Sequence, residues 1–197
     1  MTNFLFKDRA GQTPLPHELQ QGLKPRHIQT MSELDEYEEQ NIAEGLVWLA
    51  VQSDLGAGYE FWLKLHKKLF CDVWEWAGKI RTHELNNPDF HQPHQIWPAL
   101  RQLEGDLAYW VKQKTYPEGE TAARFHERIE TIHPFANGNG RFGRILVEHF
   151  CKKNGWKTPT WGSALKDTPS ERRKSYIAAL VDARRSLSHA PLAAFMY

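Results

Sequence analysis

The sequence has few of the features that assign a protein to a class at once. Its two cysteines, Cys71 and Cys151, are far apart and form no Cys-x-x-Cys pair, so we expect free thiols in a reducing compartment. No apolar run approaches the ~18 residues that a membrane helix needs, and the N-terminus has no secretory pattern. We therefore expect a cytoplasmic protein that makes no membrane contact.

The sequence also lacks an excess of either charge and the common zinc-binding spacings. It has 25 basic and 24 acidic residues, so no overall field favours an anionic partner, and nucleic acid is not an expected partner. Ten histidines are present without a His-Glu-x-x-His motif. The close pair His91 and His94 has no further ligands for a tetrahedral zinc site, and none is expected.

Helical periodicity is present along most of the chain. It predicts an all-α bundle, with residues 1–31 as an N-terminal arm and residues 32–197 as a single domain. Ser32 and Asp35 have the spacing of a capping box for a helix over 32–52.

Two further elements are indicated by local patterns. Thr168, Pro169 and Glu171 have the order that starts a helix, and they predict a last long helix. Residues 80–91, with a turn at Asn86-Asn87-Pro88-Asp89, predict one small β-hairpin.

The most informative segment is residues 133–144, His-Pro-Phe-Ala-Asn-Gly-Asn-Gly-Arg-Phe-Gly-Arg. Glycines at 138 and 140 allow turns in which successive N–H groups point at one spot. A helix that begins near Gly140 adds unpaired N–H groups and a positive dipole end. The segment therefore predicts an anion-binding loop.

Three side chains in this segment complete a candidate active site. Arg141 and Arg144 are three positions apart on one helix, where both guanidinium groups can hold a polyphosphate. His133 has the proton affinity of a base near neutral pH. A phosphate site with a base beside it is the expected chemistry. The alternatives are a structural histidine and two solvated arginines.

The segment resembles the signature of the Fic family, His-x-Phe-x-(Asp/Glu)-Gly-Asn-Gly-Arg-x-x-Arg, except that Asn137 stands at the acidic position. Residues 65–70 and 72–82 resemble the part that precedes the family's substrate-docking flap. Segments that resemble the subgroup called mobile mystery protein B include Asn137 itself and Glu39–Glu44, Thr160-Trp161-Gly162 and Arg173-x-x-Tyr176-Ile177-x-Ala179-Leu180. The resemblance extends roughly from Leu15 to Phe195.

The resemblance implies a Fic-type helical bundle with a hairpin flap, and a transfer of AMP from ATP to a hydroxyl of a target protein with release of pyrophosphate. His133 would take the hydroxyl proton. The phosphates would be bound by a set of residues from the loop and the following helix: Gly138, Asn139, Gly140, Arg141 and Arg144. The subgroup resemblance also implies a toxin-like role and a helix-turn-helix partner that resembles an antitoxin.

Asn137 bears on the metal. In the family the carboxylate at this position binds the Mg²⁺ that bridges the α- and β-phosphates, and an amide oxygen binds a hard cation less well. We expect activity to persist with a raised requirement for Mg²⁺ or Mn²⁺.

The predicted hairpin occupies the position of the family's flap. An open hairpin edge can add a strand from a target protein and hold a target side chain over His133. The candidate docking residues are the first five of this segment: Ile80, Arg81, Thr82, His83 and Glu84. A purely structural hairpin is the alternative.

Glu44 is a candidate inhibitory residue. Gln40-x-x-x-Glu44-Gly45 resembles the family's inhibitory helix, whose glutamate pairs with the second arginine of the motif, here Arg144. The alternative is that Glu44 belongs to an acidic, solvated helix face.

Two other functions are possible for the same fold. One is a kinase-like phosphotransferase that binds the nucleotide in reverse, although the intact Gly138-Asn139-Gly140-Arg141 disfavours it. The other is a catalytically weak regulatory module that binds nucleotide.

Overall fold

The computed structural model describes residues 21–163, 165, 168–186 and 188–197, so most of the predicted arm lies outside the described residues. The described residues form these helices: α1 (Met31–Ala50), α2 (Tyr59–Phe70), α3 (Pro93–Gln113), α4 (Glu118–Ile132), α5 (Asn139–Lys153), α6 (Pro169–Ser186) and α7 (Ala190–Met196). The all-α prediction is confirmed, and α7 is an element that the sequence analysis did not identify.

The start of α6 is as predicted, while the start of α1 is not. At α6, the Glu171 amide donates to Thr168 Oγ1 over 3.3 Å and the Thr168 amide donates to Glu171 Oε2 over 2.8 Å. At α1, the same capping box is made by Thr30 and Glu33 instead of Ser32 and Asp35. The earlier start places Met31 within the helix, where its side chain is buried.

Residues 80–91 do not form the predicted hairpin, and within the described residues the β-pairing is one isolated bridge between Leu23 and Trp74. The segment bonds to the end of α4 and the loop after it. The Arg81 amide donates to Pro134 O over 2.9 Å, and the His91 amide donates to Thr131 O over 3.2 Å.

The side chain of Arg81 makes the hydrogen bonds that stabilise this segment in place of strand pairing. Its buried guanidinium donates to the carbonyl oxygens of His83, His91 and His133. These bonds hold both ends of the segment against the loop before α5, so Arg81 supports the site structurally and does not face a target.

Helix α4 lies at the centre of the bundle and packs against α3, α5, α6 and α7. Four phenylalanines around it and α5 are almost completely buried: Phe125, Phe135, Phe142 and Phe150. The two cysteines are free thiols, as expected. Across the described part of the chain, no helix combines the length and apolarity that crossing a membrane requires.

Candidate active site

The segment 133–144 forms the connection between α4 and the start of α5. His133 ends α4 in the left-handed conformation, with φ 47°, and its amide donates to Ile129 O over 3.1 Å. Gly138, with φ 77°, precedes α5, and a Cβ there would lie 2.7 Å from the Phe70 ring. Glycine is therefore required at 138 for both its conformation and its lack of a side chain.

Asn139 holds this loop closed. The Phe135 amide donates to Asn139 Oδ1 over 2.9 Å, and Asn139 Nδ2 donates to Phe135 O over 2.8 Å. The side chain that was predicted to bind phosphate is therefore committed to the loop, and what Asn139 can offer a phosphate is its backbone amide.

His66 of α2 supports the loop from beneath. The Gly78 amide donates to His66 Nδ1 over 3.0 Å, so the proton lies on Nε2, which donates to Asn137 O over 3.1 Å. The ring stacks on Phe135, with centroids 3.6 Å apart, and burial lowers the His66 pKa to about 3. His66 is thus a neutral structural residue, and its place on an apolar helix stripe concealed this role.

The loop opens on a cavity of about 730 Å³. The predicted His133, Asn137, Gly138, Asn139, Gly140, Arg141 and Arg144 all line it. The opposite walls come from α1, the segment 80–91 and α6, and include Asp35, Glu38, Asn87, Asp89, Phe90, Arg173, Tyr176, Ile177, Leu180, Val181 and Arg184. The structure therefore brings the predicted base, loop and arginines together.

The imidazole of His133 is oriented for base catalysis. Its Nδ1 lies 3.1 Å from Glu130 O, a carbonyl that can only accept, so Nδ1 carries the proton and Nε2 is left as the base. Burial lowers the His133 pKa to about 4, and the ring is neutral at neutral pH. Phe90 stacks on it with centroids 3.8 Å apart and an interplanar angle of 11°. Sequence reasoning missed Phe90, since it falls in the predicted hairpin.

Arg141 is paired with a buried carboxylate from α1. Its Nη1 lies 2.5 Å from Glu38 Oε2, and Glu38 Oε1 accepts from Trp74 Nε1 over 2.7 Å. Glu38 is 2% exposed, so its charge depends on these partners. Its position within the acidic run 33–39 gave no sign of this contact.

Glu44 does not have the position that the inhibitory hypothesis requires. It lies on the exposed face of α1 and accepts a bond of 3.4 Å from Gln40 Nε2. It is six positions along the helix from Glu38, or ~9 Å along the axis. The structure thus supports the alternative of a solvated face for Glu44, while Glu38 is the α1 glutamate that contacts a motif arginine.

Arg144 lies between α5 and α6, with its guanidinium carbon 5.6 Å from the centroid of the Tyr176 ring. Glu130 of α4 is near it, and burial raises the Glu130 pKa to about 7 against the opposing effect of Arg144 and Arg184. Neither Glu130 nor Tyr176 was predicted as a site residue.

The donors available to a phosphate are the first amides of α5. The first bond within this helix is from the Phe142 amide to Gly138 O, so the amides of Asn139, Gly140 and Arg141 precede it and point out of the helix end. The Gly138 amide, which was predicted to face phosphate, donates instead to Asn137 Oδ1 over 2.7 Å.

The fit to a metal ion is limited. Within the described residues there is no group of three or more histidine, cysteine or acidic side chains that could hold a metal. Asn137 Oδ1 retains a lone pair beside the cavity after its bond with Gly138. One amide oxygen fits an ion that is brought by a nucleotide, since Mg²⁺ keeps several waters and takes few protein ligands.

Of the predicted docking residues, none lines the cavity. Ile80 is half-buried and Arg81 is buried, whereas Thr82, His83 and Glu84 are exposed. The part of the segment that reaches the cavity is its other end, at Asn87, Asp89 and Phe90.

Known proteins are similar to parts of this chain. The chain is 33% identical over 102 residues to protein adenylyltransferase VbhT of Bartonella schoenbuchensis. This match covers 47% of this chain and 20% of VbhT. It is 27% identical over 139 residues to the probable protein adenylyltransferase y4lH of Sinorhizobium fredii, which covers 66% of this chain and 70% of y4lH. The chain thus spans only about a fifth of VbhT.

A solved structure shows a similar fold. BepC, a VirB-translocated effector protein of Bartonella tribocorum with bound AMPPNP, aligns with a TM-score of 0.70 and 22% identity over 99% of this chain and 94% of that chain. At this identity the likeness concerns the fold alone. The family model described as Fic/DOC family matches residues 58–151, which contain α2 to α4, the whole loop and all of α5 except its last two residues. This part of the chain, with the loop and its cavity-lining residues, is therefore similar to the Fic/DOC family.

Proposed function

We propose that this protein is a protein adenylyltransferase that transfers AMP from ATP to a hydroxyl of a target protein. The observation that carries the proposal is the convergence of an unprotonated histidine nitrogen, outward-pointing helix amides and two arginines on one cavity. The relatives named protein adenylyltransferase and the AMPPNP bound to BepC support the same chemistry.

His133 is the proposed general base. A serine, threonine or tyrosine hydroxyl gives its proton to Nε2 as its oxygen bonds to the α-phosphorus. The bond from the α-phosphorus to the bridging oxygen breaks, and pyrophosphate leaves with that electron pair. Because burial keeps the pKa of His133 near 4, the base is in its neutral form throughout the physiological range.

The start of α5 is the proposed phosphate site. Amides of Asn139, Gly140 and Arg141 stabilise charge on the phosphate oxygens, and the Arg141 and Arg144 guanidinium groups neutralise the leaving pyrophosphate. For Arg141 this requires competition with Glu38, whose carboxylate already holds it. Nucleotide binding is therefore expected to weaken the Glu38–Arg141 pair.

Mg²⁺ is a proposed cofactor, with Asn137 Oδ1 as its protein ligand and Mn²⁺ as a substitute. When bound, the ion would offset negative charge on the phosphates. The roles proposed above for His133, Arg141 and Arg144 do not depend on the metal ion.

Target docking is proposed for the exposed residues Thr82, His83 and Glu84. These side chains are exposed to solvent. They belong to the segment 80–91, whose Phe90 stacks on the proposed base His133. Thr82→Pro should remove a backbone donor, lower target modification and leave ATP binding unchanged. The toxin-like role, the antitoxin-like partner and membership of the mobile mystery protein B subgroup rest on the sequence resemblance.

Labelled ATP tests the proposal. Incubation of the protein with candidate targets and ATP labelled at the α- or γ-phosphate should transfer only the α-label, and mass spectrometry should find an added AMP that is lost in His133→Ala. Transfer of the γ-label would indicate the kinase-like alternative. Binding of ATP without transfer of either label, across Mg²⁺ and Mn²⁺ concentrations, would indicate the regulatory module.

A further inference from the structure

Glu130 is a buried acid in the wall of a cavity suited to phosphate. It is 5% exposed, and it lines the cavity together with Gly140, Arg144 and Tyr176. Its Oε1 is completely buried and has no hydrogen-bond partner within the described residues. A buried carboxylate oxygen without a donor is costly, so this side chain requires an explanation beyond packing.

The carboxyl group of Glu130 lies along the first turn of α5, where phosphate would bind. A Cβ at Gly143 would overlap its Oε1, and a Cβ at Gly140 would lie 4.0 Å from its Oε2 and 3.7 Å from Arg144 Nη1. Gly143 therefore makes room for the acid, and the carboxyl group lies beside the second arginine of the motif.

Charged or titratable groups surround Glu130 from three elements, α4, α5 and α6. Arg144 comes from α5, Tyr176 and Arg184 come from α6, and His126 and His133 come from α4 itself or its end. The histidines are held neutral by burial, which lowers the pKa of His126 to about 3. The two arginines are thus the cations that stabilise a negative Glu130.

We propose that Glu130 is a proton-linked positioning residue of the nucleotide site: above neutral pH it faces Arg144 as a carboxylate in the free protein, and it takes up a proton from solvent when a triphosphate binds. This inference rests on the proposed function, since it requires a nucleotide in the cavity. The bound phosphates repel a neighbouring carboxylate and draw Arg144 towards themselves, and both effects favour the neutral acid. A neutral Glu130 also attracts Arg144 less strongly than a carboxylate does, which favours the turn of Arg144 towards the phosphates.

The linkage has a defined sign. Burial already raises the pKa of Glu130 to about 7 in the free protein, and the triphosphate raises it further. Below pH 7 the acid is largely protonated in both states, so affinity does not depend on it. Above pH 7 binding takes up one proton, and affinity falls by up to about tenfold for each pH unit.

Calorimetric titration with an ATP analogue that has a methylene between the α- and β-phosphorus tests this. Measurements at pH 6, 7 and 8, in two buffers of different ionisation enthalpy, give the number of protons taken up. Wild type at pH 8 should take up close to one proton more than Glu130→Gln, whose affinity should be nearly the same at pH 7 and pH 8. Protons exchanged by the analogue itself are common to both proteins.

Glu120→Gln is the matched control. Glu120 is a half-buried glutamate ten residues earlier on α4, where it accepts from Arg124 Nε over 3.0 Å and from Arg124 Nη2 over 2.8 Å, outside the large cavity. It should behave as wild type, and Glu130→Asp should retain proton uptake. In transfer assays Glu130→Gln should remove the loss of ATP affinity above pH 7, seen as KM, with little change in kcat.

The outcomes separate the two proposals. Equal proton uptake by wild type and Glu130→Gln overturns the proton linkage and leaves the nucleotide site intact. If Glu130→Gln does not fold, affinity of wild type that is flat from pH 7 to 8, once the analogue's own titration is subtracted, has the same consequence. Absence of binding to wild type at every pH overturns the proposed function as well.

Discussion

The two sides of the cavity are specified in different ways. The loop side is twelve consecutive residues, from His133 to Arg144, whose geometry depends on glycine conformations and a helix start. The opposite side is assembled from α1, the segment 80–91 and α6, which are distant in sequence. Local chemistry defines the first side and long-range packing defines the second.

Removal of the proposed base from the loop side should cause the largest loss of activity. His133→Ala should lower the transfer rate by about 10²–10⁴-fold, the usual contribution of a general base, with ATP affinity little changed. The rate of α-label transfer and calorimetric ATP binding are the two measurements. His94→Ala, an exposed histidine at the start of α3, is the control and should remain active. Undiminished transfer by His133→Ala would exclude this residue as the base.

Substitution of Arg81, in the segment 80–91 on the opposite side, should mainly lower the stability of the fold. Arg81→Ala leaves three backbone carbonyls without their donor, and we expect it to lower the free energy of unfolding by about 2–4 kcal/mol. Chemical denaturation measures this change. Thr82→Ala, at the adjacent exposed position, should stay within about 0.5 kcal/mol of wild type. Equal effects of the two substitutions would contradict a structural role for Arg81.

The same contrast explains what could be predicted from the sequence. Thr168 and Glu171 cap α6 as expected, and the loop residues meet as expected, since both depend on neighbours within a few positions. The prediction of a hairpin over 80–91 was wrong. The guanidinium group of Arg81 donates to the carbonyl oxygens of His83 and His91 within the segment and of His133 in the loop, so strand pairing is replaced. Turn residues in the sequence do not reveal such a substitute for strand pairing.

The acidic helix α1 illustrates a second limit. Glu38 and Glu44 both lie on this helix, and the sequence pattern pointed to Glu44. Which of them reaches the motif is decided by how α1 packs against α2, because that packing places Glu38 beside Arg141 of α5. The exposed Glu44 and the buried Glu38 could therefore be separated only in the folded structure.

The contact between the two sides can be tested at Glu38. Glu38→Gln removes the charge that competes for Arg141, and ATP should bind about fivefold more tightly, the equivalent of ~1 kcal/mol for one hydrogen bond. The free energy of unfolding should fall, since the partly buried guanidinium group of Arg141 loses its anion. Glu39→Gln, one residue along on the exposed face, is the matched control for calorimetry and denaturation. Unchanged affinity in Glu38→Gln would show that phosphate does not compete with this carboxylate.

The smallest expected effect concerns Asn137. This test distinguishes direct binding of the metal ion by residue 137 from a general effect of negative charge in the cavity. Asn137→Asp should lower the Mg²⁺ concentration for half-maximal transfer by roughly threefold, because a carboxylate binds this ion better than an amide. Asn87→Asp adds the same charge to the opposite side of the same cavity, away from the loop. If only Asn137→Asp shifts the Mg²⁺ dependence, the position acts by ligation. An equal shift in both variants would mean that the cavity responds to its total charge, and position 137 would then have no special relation to the metal.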